Sequence, residues 1–244
     1  MGENMTYIEN PKTKGSGIIC AIPHSTRCVI GCEDCFYNSG RSYLEPMADN
    51  LPNMPSEIES TNRVVRVNDG NDSNVERELV LKATAHYRHK FYNTSIPKPF
   101  DLPWVLTINP GGMTDTSFEK LDPIPKTLMF VRFRANTWNS ELMDDAVAYY
   151  TSRNVPVVLT FMAYWQYEGS IKKANVLDYM MRKRTINTYL AITTAAWRRV
   201  MKRYEDNSLV HSCSKIEGEL GKSGCKYCGN CLREYYSTLE RMRT

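Results

Sequence analysis

Apolar and polar positions alternate along the chain in blocks that predict strands and helices in turn. Gly17 to Ile22 is an apolar run and reads as a first strand. Trp104 to Ile108, Leu128 to Arg134 and Val155 to Met162 read as three more. The last of these is almost uninterrupted, as expected of a parallel strand covered on both faces. Ser208 to Ser212 is short and apolar enough to be a final strand. Between them the spacing turns helical. Ser73-Asn74-Val75-Glu76 has the form of a capping box and predicts a helix to about Tyr92, with Leu79, Ala83, His86 and Tyr87 on its buried face. Ser140 to Arg153 places Leu142, Ala146 and Tyr149 or Tyr150 on one stripe, and Asn154 reads as its stop. Ala174 to Asp206 predicts helix in two pieces broken near Thr185 to Thr188, and Leu232 to Met242 a short amphipathic helix. Residues 38–70 carry Pro46, Pro52 and Pro55 among polar residues and read as one long loop, either over a site or a plain surface excursion.

Strands alternating with helices predict an α/β fold, with a parallel sheet and helices outside. Ligands of such folds sit beyond the carboxyl ends of the strands. Asn136, Tyr164 and Gln166 follow predicted strands and therefore belong to one rim.

The chain has 244 residues, enough for one sizeable core with or without an appendage. Its apolar and charged fractions are those of an ordinary globular protein. No apolar run is long enough to span a bilayer, and Met1 to Lys14 carries no apolar signal core. The expectation is a cytoplasmic protein with no membrane attachment. In a reducing compartment, its 8 cysteines are better read as metal ligands than as disulfides.

Three of them form Cys28-x3-Cys32-x2-Cys35, on a short loop after the first strand. Three thiolates on so short a loop can hold one soft metal centre and leave a fourth position for something other than a side chain. Zinc also takes thiolates, and His24 or Cys20 are the residues available to close such a site.

The Cys28, Cys32 and Cys35 spacing after a first strand resembles the signature of the radical S-adenosylmethionine enzymes. The resemblance implies an open, partial βα barrel. It also implies a 4Fe–4S cluster held by these three cysteines, with S-adenosylmethionine chelated at the remaining iron. One electron then yields methionine and a 5′-deoxyadenosyl radical that abstracts hydrogen from a substrate. Such a protein is oxygen-sensitive and draws electrons from a donor such as flavodoxin or ferredoxin. The family places an aromatic residue before the third cysteine. This chain has Asp34 there, and Phe36 and Tyr37 follow instead as candidates for the adenine contact. The family's Gly-Gly-Glu segment after the second strand corresponds to Gly111-Gly112-Met113. Asp115 is the nearby carboxylate, and Asn136 and Tyr164 complete the candidate cofactor rim.

Four further cysteines, Cys213, Cys225, Cys228 and Cys231, have the spacing C-x11-C-x2-C-x2-C. A four-thiolate site is expected there, either a second 4Fe–4S cluster or zinc. The chain thus divides into a barrel, residues 1–207, and a Cys-rich C-terminal segment, residues 208–244. Cys20, alone in the first strand, reads as a small buried apolar residue. Arg182, Lys183, Arg184, Arg198, Arg199, Lys202 and Arg203 make one stretch basic. That is a solvated face, or a docking surface for nucleic acid or an acidic electron donor. Two other functions share these features: a zinc-binding, nucleic-acid-interacting module and a two-cluster electron-transfer protein. The substrate is not legible.

Overall fold

The computed structural model describes residues 6–32, 35, 37, 40, 42–110, 118–161, 163–165, 176–183, 188–214 and 224–244. Seven strands form the main sheet: β1 (Ile18–Ala21), β2 (Val64–Val67), β3 (Lys90–Thr94), β4 (Trp104–Ile108), β5 (Leu128–Ala135), β6 (Val157–Phe161) and β10 (Val210–Ser212). They lie side by side in chain order, and every pairing is parallel. Parallel crossovers are almost always right-handed. A sheet that never reverses its order therefore sends its connections over the same face, and it curls into a half-barrel.

That outer face is covered by α2 (Arg77–Ala83), α3 (Ser140–Thr151) and α4 (Thr194–Lys202). Val80, Leu142, Met143, Ala146, Val147, Tyr150 and Val200 from these helices share a core with Ile19, Val65, Tyr92, Trp104, Val131 and Leu159 of the strands. The opposite, inner face is apolar at its lower end, where Ile18, Val64, Phe91, Val105, Phe130 and Val158 meet Tyr235. Tyr235 belongs to α6 (Asn230–Arg243), which follows the one-turn α5 (Cys225–Cys228). At the rim, the Asn230 amide donates to Ser212 O at 3.0 Å; at the far end, Arg241 donates to Leu128 O at 2.6 Å. α6, about 21 Å long at the helical rise, therefore runs down the inner face. β10, from the same C-terminal stretch, is an edge strand of the main sheet.

The helix expected from Ser73 to Tyr92 is only α2, and the capping box is not used there. Ser73 is fully buried; its amide donates to Asn93 O at 3.0 Å, and its hydroxyl accepts from Asn68. Glu76 stands before the helix in a left-handed conformation (φ 46°) with no side-chain cap. The shifted start buries Val80 and Tyr87 and exposes Leu79 and His86. Where the helix was expected to end, Lys90–Thr94 is β3. A capping box is present at Ser56 and Glu59, opening α1 (Glu57–Ser60). α1 and β2 both fall inside the expected loop 38–70.

The stretch from Ala174 to Asp206 is mostly not helix in its described part. β8 (Tyr179–Lys183) and β9 (Thr188–Ile192) pair antiparallel, and β7 (Ala163–Trp165) joins β9. Tyr179, Tyr189 and Ile192 fit strand and helical spacing equally; β-branched and aromatic residues favour the strand. Helix begins only at α4, where the Thr193 hydroxyl accepts from the Ala196 amide at 3.2 Å. Thr193→Ala is expected to cost about 1 kcal/mol, read as a lower urea midpoint with unchanged slope. Among the described residues, no helix is long and apolar enough to cross a membrane.

Candidate functional site: two cysteine groups on one rim

The parallel sheet sets the address of the first cysteine group. β1 ends at Ala21, and Cys28, Cys32 and Cys35 follow it on the carboxyl rim. Gly31 supplies a left-handed turn (φ 66°) between the first two, and the Cys35 amide donates to Cys32 O at 3.3 Å. Arg27 braces the loop, donating to Tyr37 O and pairing with Glu45 at 2.9 Å. Burial pushes the Cys28 thiol pKa up, opposed by a backbone hydrogen bond at Ile30; the charges of Asp72, Cys32 and Cys35 raise it further. The three thiols thus lie within electrostatic reach of one another. His24 does not close this group. It is buried, with Nδ1 on Asn68 Oδ1 at 3.2 Å and Nε2 on Val75 O at 3.0 Å.

Behind the loop runs a buried polar chain that the sequence did not reveal. Tyr37, two residues past Cys35, donates to Asp69 Oδ2 at 3.0 Å. Asp69 forms an ion pair with Arg66 and accepts from Asn10. Arg66 also donates to Cys20 Sγ at 3.3 Å, so Cys20 has a cation beside it as well as apolar packing. The Arg66 and Asp69 side chains are only 10% and 12% exposed. Burial pushes the Asp69 carboxyl up, but Arg66 and the hydrogen bonds from Asn10 and Tyr37 prevail and hold it below the usual carboxylate range. Gly70 makes room for Tyr37: a β-carbon there would stand 2.2 Å from the Tyr37 ring. Gly70→Ala is therefore expected to destabilise by about 1–3 kcal/mol. Adding Tyr37→Ala should recover part of that loss in urea unfolding.

The second group collects at the other edge of the sheet. Cys213 follows β10; Cys225 and Cys228 lie on α5, and Cys231 on the first turn of α6. Gly229, left-handed at φ 62°, breaks the path between those helices. The Cys225 amide donates to Lys12 O at 2.9 Å, tying the group to the segment before β1. Cys213 and Cys231 pack against the inner-face core. A hydrogen bond from Cys228 lowers the Cys213 pKa well below the thiol range; burial opposes this, and the Arg132 guanidinium and the Thr160 hydroxyl support it. The same contact raises Cys228. Burial pushes Cys225 up to about 11 and also raises Cys231, with Arg66 pulling both down and Arg132 pulling Cys231 down. Four thiols and two guanidiniums therefore interact in one partly buried space. Arg66 Nε and Thr160 Oγ1 are buried there without a hydrogen-bond partner among the described residues.

Comparison with protein-family models, with curated proteins and with solved structures returned no match. The function must be argued from this chain's own residues. Among the described residues, no group of three or more His, Cys, Asp or Glu side chains is closed to metal-holding geometry. In the second group two thiols hydrogen-bond each other, which is the arrangement of protonated sulfurs. The donor sets are nonetheless those of thiophilic centres: three thiols on one loop and four converging around two cations.

The candidate cofactor residues divide. Phe36, Gly111, Gly112 and Asp115 lie outside the described residues, as does Gln166. Tyr37 stands beside the first cysteine loop with its hydroxyl on Asp69. Asn136 is at the rim after β5, with its Oδ1 accepting from the Trp138 and Asn139 amides at 3.0 and 2.8 Å in the turn before α3. Tyr164 is buried in an aromatic cluster, 5.1 Å from Trp138 and 5.6 Å from Tyr179 between ring centres. Of the basic stretch, Arg199 pairs with Asp178 and Arg203 with Asp144. Sequence reasoning missed Arg66, Asp69 and Arg132. The available signal was a lone arginine inside an apolar run, Val64-Val65-Arg66-Val67.

Proposed function

We propose that this protein is a radical S-adenosylmethionine enzyme. The observation that carries the reading is the place of Cys28, Cys32 and Cys35: mutually interacting thiols on the loop after the first strand of a parallel half-barrel, at the rim where such sheets bind ligands. These three cysteines would hold a 4Fe–4S cluster, which when bound supplies the electron that cleaves S-adenosylmethionine and so generates a carbon radical for hydrogen abstraction. The chain's own share is positioning and exclusion of water. Arg27 and Glu45 fix the loop, and Tyr37, Asp69 and Arg66 form its polar backing. Cys213, Cys225, Cys228 and Cys231 would hold a second centre, 4Fe–4S or zinc, with no open position.

The test is anaerobic reconstitution with iron and sulfide, reduction, and analysis for 5′-deoxyadenosine in the presence of S-adenosylmethionine. Its formation supports the reading. A brown protein that binds no S-adenosylmethionine would instead be an electron carrier. A colourless zinc protein would be a structural module.

A further inference from the structure

Arg132 lies on β5 with its side chain turned to the inner face. Its hydrogen bond goes to a neutral acceptor, Asn93 Oδ1, at 3.2 Å. No carboxylate lies within ion-pair distance of it among the described residues. A partly buried cation without an anion is costly. Its neighbours are the thiols of Cys213 and Cys231, which its charge reaches. Arg66, on β2, stands across the same space with Nε unpartnered, although its other nitrogens already serve Asp69 and Cys20. Neutral thiols would leave Arg132 uncompensated. Four thiolates on a dication carry a net double negative charge, and a 4Fe–4S core on four thiolates is also anionic.

We propose that Arg132, with Arg66 opposite, is the built-in counter-ion of an anionic four-thiolate metal centre formed by Cys213, Cys225, Cys228 and Cys231 on the inner face. The proposal rests on reading those four cysteines as ligands. It makes the centre part of the barrel interior, with its charge balanced by strands that carry none of its ligands. Arg132 is a positioning residue: it touches no metal, and its removal weakens metal binding by leaving the thiolates uncompensated.

The probe is Co²⁺, whose thiolate charge-transfer bands report sulfur ligation, followed by competition with Zn²⁺. The full-length chain is used reduced, metal-free and anaerobic, with Cys28, Cys32 and Cys35 changed to Ser so that only the second group reports. Arg132→Met is expected to weaken Zn²⁺ binding about 10–100-fold, the usual effect of losing an outer partner of a metal ligand. Arg132→Lys, which keeps the charge, should stay within about threefold of the parent, a small share of that effect. If Arg132→Met fails to fold by circular dichroism, Arg132→Gln replaces it, keeping a polar contact to Asn93 while removing the charge. Zn²⁺ affinity unchanged in a folded Met or Gln variant overturns the counter-ion role while leaving the four-cysteine centre standing. Equal losses in the Lys and Met variants also overturn it, since charge would then not be the cause. Absence of thiolate bands in the parent, or bands unaffected by Cys228→Ala, removes the centre itself and the proposal with it.

Discussion

Cys32→Ala will fold, retain metal at the C-terminal cysteines and make no 5′-deoxyadenosine. Cys32 is the middle ligand of the proposed cluster, and no neighbour can replace it. Cys20 lies in β1 with its sulfur on Arg66, and both ring nitrogens of His24 are engaged. The side chain is partly exposed on a loop, so its loss removes little packing. The loss should be complete, down to the protein-free rate, and not a modest fall. Iron analysis, circular dichroism and anaerobic product analysis on one preparation check all three parts. Wild-type levels of 5′-deoxyadenosine from this variant would sink the proposed function.

Asp69→Ala is expected to be the most destabilising single change outside the apolar core, at about 3–5 kcal/mol. Breaking a buried pair costs this much because the surviving charge keeps its desolvation penalty and loses its partner. Here the survivor is Arg66, which has no second carboxylate within ion-pair distance among the described residues. The same pair sets an acid dependence. Asp69 has a lowered pKa in the folded chain, so its ionised form stabilises the fold above the unfolded carboxylate value. That contribution is lost as pH falls through the folded value. Urea midpoints from pH 7 to about pH 3, which brackets the ordinary carboxylate range, should therefore fall more steeply for the wild type than for Asp69→Asn. Parallel pH profiles would show that Asp69 does not carry this contribution.

What the sequence disclosed, and what it hid, follow from one asymmetry of the sheet. β4, β5 and β6 were legible because they are long and packed on both faces, so their letters are nearly all apolar. β2 and β3 were not, because their inner faces carry Arg66 and Asn93. One polar residue in a strand of four or five is enough to erase the pattern. The Ser73 signature misled because a serine and a glutamate at the right spacing are necessary for a capping box but do not make one. Burial of Ser73 between two strand ends took its hydroxyl for another purpose. The cysteines stood out as candidates because ligand spacing within one loop is a local property. The Tyr37–Asp69–Arg66 chain and the approach of Arg132 to Cys213 and Cys231 join residues far apart in sequence, and no local pattern encodes them.

α6 follows in the chain every strand that it covers. During synthesis from the N-terminus, six neighbouring strands can pair and receive α2 and α3 while the apolar floor around Phe91, Val105 and Phe130 is still bare. The nascent protein therefore passes through a stage in which an open trough faces the cytosol or a chaperone, before Tyr235 seals it. A ribosome-arrested chain ending near residue 208 should bind a hydrophobic dye that the finished chain excludes. Equal dye binding by the two would argue against such a stage. The order of emergence also gives insertion of any metal a natural window: after Cys213 and the thiols of α5 have left the ribosome, and before the last helix has closed over them.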